Sequence, residues 1–343
     1  MNQSNEPEPY DTTSFCVLIY YNHGFYWNLI IPIFSFIFNI PCIFIFFKLI
    51  RTQKQTEELF KYFLVKSIVD TYLSIIFTLN NFFNNEVAAI NKHKLLKQLW
   101  LIFGVYFAFV FQLVSMFLEV ASSFNRFRNL AKKLNFMNKI SYKISIFLMF
   151  FYSFLFYIFK FYEIQIVSSE DNSSEYIFIS SPNDFNSIGL VQSIQRDGVC
   201  VVVIIILNLV TILEMRSLLV RKRMLVRTMS KEKASSIENR LTLMVLTMSS
   251  IAVVAHGLLL IYYISPDYSF FQTNACYQML TFVVYSFSYT VNFLLYYLFN
   301  KSFKKVVISE FVRFLIFLRL KRAHQIEIQS NKTSIKSISI RKL

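Results

Sequence analysis

Apolar residues in this chain fall in long unbroken blocks rather than alternating with polar ones. Seven blocks approach or exceed about 20 residues, the length that crosses a hydrocarbon core as a helix. They are Tyr26–Leu49, Phe60–Phe83, Leu99–Phe124, Ile140–Tyr162, Gly198–Leu219, Leu241–Ile264 and Ala275–Phe299. Backbone groups in lipid must satisfy one another, and the blocks lack the period-2 alternation of a β-barrel, so each reads as a helix. The pattern predicts an all-α membrane protein, a seven-transmembrane helix bundle over residues 26–299. Beyond Phe299, apolar and basic residues alternate at helical spacing. This predicts an amphipathic eighth helix on the membrane surface over 300–322. Residues 1–25 read as a polar N-tail and 323–343 as a disordered tail.

Composition narrows the class. Of 343 residues, 55% are hydrophobic and 16% charged, against about 25% charged in a soluble domain. With only 5 Gly, 6 Pro and 4 Cys, the chain is neither collagen-like nor a disulfide scaffold. A soluble enzyme does not fit so much apolar surface. The four histidines, His23, His93, His256 and His324, are scattered, so no hydrolytic membrane site is expected either. The chain is read as a non-enzyme. No internal repeat of the kind many transporters carry is visible.

Charge sets the orientation. With the N-terminus outside, 30 of the 35 Lys and Arg residues fall on the cytoplasmic side, Lys66 counted among them, and the first 47 residues contain none. Positive loops stay inside, so the expectation is a multi-pass plasma-membrane protein with an extracellular N-terminus and a cytoplasmic C-terminus. The outer segments carry 5 basic and 11 acidic residues, and an acidic vestibule draws in cationic ligands. Asn2 and Asn172 begin glycosylation sequons on the outer side, whereas the sequon at Asn331 falls inside. The first 14 residues are acidic and polar, so no cleavable signal peptide is expected.

Polar residues inside spans face the bundle and mark function. Asn292-Phe293-Leu294-Leu295-Tyr296 in the seventh span resembles the Asn-Pro-x-x-Tyr element of rhodopsin-like (class A) G-protein-coupled receptors, with Phe293 where proline is usual. Ser123-Phe124-Asn125-Arg126-Phe127 resembles that family's Asp/Glu-Arg-Tyr element with Asn125 in place of the acid. Asp70 matches the family's buried aspartate and Asn39 its first-span asparagine. The wording around Ser288–Phe293 and Glu238–Val245 is similar to invertebrate peptide receptors, FMRFamide-type ones included, and to divergent chemosensory receptors.

The resemblance implies roles residue by residue. Arg126, Asn125, Glu238, Asn292 and Tyr296 are expected in G-protein coupling, with Glu238 pairing Arg126 in the resting state. Asp70, Ser115, Ser288, Asn292 and Asn39 are expected to form a buried polar site, holding either a sodium ion or water alone. Ala108, His256 and Ser286 lie at ligand-pocket depth. Alanine at 108 excludes an amine-binding aspartate there, and the last span lacks a retinal lysine before Lys301. Glu119 reads as a buried helix-packing acid. Gly257 permits a bend in the sixth span, while the loss of proline at 293 removes the usual cause of one in the seventh. The usual third-span cysteine is replaced by Leu101, and Cys16 and Cys276 are the outer pair open to bridging.

The implied function is a receptor that binds an extracellular ligand, a neuropeptide in the first reading and a small chemosensory molecule in the second. It would activate a heterotrimeric G protein, with arrestin and a receptor kinase acting on the serine-rich tail and membrane lipid around it. No cofactor other than the candidate sodium ion, and no nucleic acid, is implied. A ligand-gated channel of the insect chemoreceptor kind needs the opposite orientation.

Overall fold

The computed structural model describes residues 15–52, 58–86, 93–131, 141–168, 176–180, 186–225, 230–264 and 275–317. Asn2, Asn172 and the tail beyond 317 lie outside these residues. So do the side chains of Cys16, Cys276 and Glu238, and with them the Cys16–Cys276 bridge and the Glu238–Arg126 pairing.

Among the described residues, seven long helices follow one another. They are α1 (Phe15–Thr52), α2 (Glu58–Glu86), α3 (Lys94–Ala131), α4 (Tyr142–Tyr157), α5 (186–225), α6 (Ser230–Ile264) and α7 (Ala275–Thr290 continued by Asn292–Phe299). An eighth helix, α8, covers 301–317. Five helices, α1, α2, α3, α5 and α6, are each long and apolar enough to cross a membrane, and bent α7 makes a sixth. The apolar α4 has 16 residues and is extended by a turn and the short helix Lys160–Glu163.

Three boundaries differ from the hydropathy reading. Helix α1 begins at Phe15 rather than Tyr26, because apolar Phe15–Tyr21 carries the helix past the lipid-length block. The loop after α4 contains an antiparallel hairpin, β1 (Ile164–Ser168) with β2 (Tyr176–Ser180), pairing Ile166 with Phe178. Helix α5 begins at 186, well before Gly198, and so draws Arg196 and Asp197 into the bundle.

The burial pattern is that of a membrane bundle. Large apolar side chains such as Phe44, Phe147, Phe151, Ile206, Leu213 and Leu298 point outward, while Asp70, Glu119, Arg126 and Asn292 are buried. Lipid accepts the former, and the latter need protein partners. Two apolar clusters fill the interior. One runs along the bundle and includes Tyr62, Leu73, Leu113, Tyr157, Ile204 and Tyr289. The other, toward the α8 end, includes Phe46, Phe63, Met244, Leu295, Tyr296 and Phe303. Buried polar residues around Asp70 form a further layer.

Two stretches wind as π-helix, Leu101–Tyr106 in α3 and Ile194–Val199 in α5. In α3 the carbonyl of Phe103 accepts from the Tyr72 hydroxyl of α2 at 2.5 Å, so the looser winding is used for a cross-helix bond. A side chain at Gly104 would meet the Trp100 ring at 2.5 Å; only glycine lets that indole lie along the helix. Helix α6 runs unbroken through Gly257, so the helix does not use the freedom that glycine offers there.

Candidate functional site

The seventh helix bends by 43° between Leu280–Thr290 and Asn292–Phe299. The bend is present although Phe293 stands where proline, its usual cause, is missing. Asn39 of α1 donates to the Tyr289 carbonyl at 3.3 Å, the acceptor that the Phe293 N–H would use in an unbroken helix. A side chain inserted into the ladder kinks a helix without proline. Past the bend, Asn292 donates to Asp70 Oδ2 at 3.0 Å.

Asp70 is the hub of the polar layer. Ser115 of α3 donates to its Oδ1 at 3.0 Å. Asn39 also donates to Ser35 at 3.1 Å, and Ser74 to Ser35 at 2.7 Å, which ties α1 to α2. Three expected members, Asp70, Ser115 and Asn292, are therefore brought together, and Asn39 is linked to them through Ser35 and Ser74, whose hydroxyl also donates to the Asp70 carbonyl. Ser288 instead donates to the Tyr285 carbonyl of its own helix at 2.6 Å.

Lys66 is the member that sequence reasoning missed. The charge pattern counts it with the cytoplasmic side, yet it is buried one turn before Asp70. Its Nζ lies 3.3 Å from Asp70 Oδ2 and 3.1 Å from Glu119 Oε1, and donates to Ser115 Oγ at 3.0 Å. The signal was available in the i,i+4 spacing of Lys66 and Asp70, which places both on one helix face. Glu119 was read as a packing acid, and Lys66 is its partner. Two of the oxygen donors expected around a sodium ion, those of Asp70 and Ser115, thus already bind an ammonium in this packing.

A second buried cluster lies toward the hairpin end. Arg196 clasps Asp197 through Nε to Oδ1 at 2.9 Å and Nη2 to Oδ2 at 2.6 Å, and its Nη1 donates to Gln112 Oε1 at 2.5 Å. His256 of α6 places Nδ1 2.6 Å from Asp197 Oδ1. Its ring meets Tyr285 edge-on at 5.2 Å. Hydropathy left Arg196 and Asp197 in the outer loop; a charged pair inside an otherwise apolar stretch was the overlooked sign of burial. Of the three expected pocket residues, His256 joins this cluster. Ala108 is buried on α3 one turn before Gln112, and Ser286 is half-buried beside Tyr285, which is the residue that faces His256.

At the α8 end Arg126 is almost fully enclosed. Its neighbour Asn125 donates to Glu58 Oε2 at 3.4 Å, and Arg128 donates to the same oxygen at 2.7 Å. These three residues of α2 and α3 border a cavity of about 400 Å³, walled by Phe117, Phe124 and Tyr152. Tyr296 is fully buried among Phe46, Phe63 and Phe303, with ring centroids at 4.8, 4.9 and 5.6 Å. That aromatic group joins α1, α2, α7 and α8.

No family model and no curated protein matches this sequence. Among solved structures, the crystal structure of squid rhodopsin is similar over 87% of both chains, with a TM-score of 0.62 and 16% sequence identity. At that identity the likeness speaks for the fold alone: the chain folds as a rhodopsin-like helix bundle.

Proposed function

We propose that this chain is a G-protein-coupled receptor of the plasma membrane, with its N-terminus outside and its C-terminus in the cytoplasm. One observation carries the reading: side-chain contacts run through the bundle from the hairpin end to the α8 end. His256 meets Tyr285, and the Tyr289 hydroxyl donates to that of Tyr285 at 2.7 Å. Lys66 lies 5.7 Å above the Tyr289 ring and binds Asp70, which holds Asn292. Tyr296 follows one turn later. A ligand that repacks the first residues shifts the last only by binding one packing more tightly than the other.

The ligand in this reading is an extracellular peptide, supported by the acidic balance of the outer segments. A small chemosensory molecule is the second reading, and the buried polar cluster of Arg196, Asp197 and His256 is the chemistry that such a ligand would bias. The partners are a heterotrimeric G protein at the Arg126 end, then arrestin and a receptor kinase at tail serines such as Ser334 and Ser337, with anionic lipid against the basic segments. We assign the chain no catalytic role.

The test is G-protein recruitment at the cell surface, unstimulated and with pooled amidated invertebrate peptides or small odorant-like molecules. Arg126→Ala should abolish recruitment without loss of surface display. Recruitment that survives this change, or silence of the displayed receptor toward every pool, counts against the proposal.

A further inference from the structure

Asp70, Glu119 and Lys66 share a space closed to solvent in the middle of the bundle. The ammonium has oxygen neighbours from both carboxylates and from Ser115, at 3.0 to 3.3 Å. Asn292 adds its amide to Asp70. When ionised, the two carboxylates carry one more charge than Lys66 neutralises. Glu119 Oε2 is buried without a hydrogen-bond partner among the described residues. Such a set of hard oxygen donors suits a small metal cation. The position is instead taken by a nitrogen on a stem rooted in α2, one turn from Asp70. A free ion enters only by displacing Lys66, and separating an ammonium from two buried carboxylates is strongly unfavourable.

We propose that Lys66 is the resident cation of this core. The chain carries on one of its own side chains the charge that a bound sodium ion would otherwise bring, so the packing of the bundle is indifferent to sodium. Removing the ammonium uncovers a monovalent-cation site made by Asp70, Ser115, Glu119 and Asn292. The inference stands on packing alone and is independent of the ligand and of G-protein coupling.

The test uses the full chain purified in detergent micelles. Melting is followed by exposure of the buried thiols of Cys42 and Cys200. The solutions are sodium, potassium and N-methylglucamine chloride at equal ionic strength. The unaltered chain should melt at the same temperature in all three. Lys66→Met should gain about 3–8 °C in saturating sodium over N-methylglucamine, and Lys66→Met with Asp70→Asn should lose that gain. A saturable, sodium-specific rise in the unaltered chain overturns the proposal, and so does a folded Lys66→Met that ignores sodium. A Lys66→Met variant that folds only when extracted in sodium shows the same gain in stronger form. If it folds in no ion, Lys66→Met with Glu119→Leu, which leaves one carboxylate for one cation, is read in its place with the same two outcomes.

Discussion

The side-chain amide of Asn39, in α1, holds the main-chain carbonyl of Tyr289, in α7, at 3.3 Å. The seventh helix bends by 43° immediately after that carbonyl. The bond takes an acceptor out of the helix ladder, so a residue 250 positions away in sequence does the work usually left to proline. Asn39→Leu returns the carbonyl to the Phe293 N–H. The expected result is a straighter α7, read as a changed distance between labels at Thr52 and Leu298. A stability loss of about 1 kcal/mol should accompany it, the size of an interhelical hydrogen bond in a membrane. An unchanged label distance would show that the bend has another origin.

Arg196 and Asp197 test the buried cluster toward the hairpin. Both are enclosed, and Asp197 is shared by Arg196 and His256. Asp197→Ala leaves a buried guanidinium without its counter-charge, and the expected cost is about 3–5 kcal/mol. Arg196→Met combined with Asp197→Leu removes both charges and should cost much less. Thermal melting of the two singles and the double, set out as a cycle, checks this. Additive losses would mean that the pair does not act as one unit.

Asn125 stands where the resembled family has an acid, and the structure supplies a local reason. Its amide donates to Glu58 at 3.4 Å. A carboxylate at that place would face the Glu58 carboxylate instead, and like charges at such range repel. Asn125→Asp should therefore lower the melting temperature at neutral pH. Adding Glu58→Gln should restore it. A stabilised Asn125→Asp would point to a dominant new contact with Arg126.

Helix α8 is tied to the end of α1 by Lys48, which donates to Glu310; Arg313 also donates to Glu310, at 3.1 Å. The Lys48 bond holds the Glu310 carboxyl below its ordinary range. A carboxyl whose folded value is lowered contributes its stability above the unfolded value, about 4.3 for glutamate, and loses it as pH falls through the folded value. Attachment of α8 should thus persist at neutral pH and loosen in acid below about pH 4. It should also weaken with salt, because the pair is exposed. Amide hydrogen exchange over 301–317 measures this, with Lys48→Met expected to show the loosened pattern already at neutral pH. Equal protection in that variant would assign the docking to Phe303 and the aromatic group alone.

Much of this molecule is local and was therefore legible along the chain. Hydropathy is a property of each block by itself, so the seven apolar helices can be placed along the chain from sequence alone, six of them long and apolar enough to cross a membrane when bent α7 is counted as one. The depth of Asp70, Asn292 and Asn39 in their spans follows in the same way. Helix ends were less legible, because turns such as the one joining α4 to the hairpin depend on what the chain meets there. What only the tertiary structure decided is which polar groups meet. Lys66 and Glu119 lie on different helices, as do Arg196 and Gln112, 84 positions apart, and Asn39 and Tyr289, 250 apart. A lysine near the end of an apolar block reads as a loop-side charge until the rotation of α2 against α3 turns it inward. Helix rotation is set by the sum of side-chain contacts across the whole interface, and no window of sequence contains that sum.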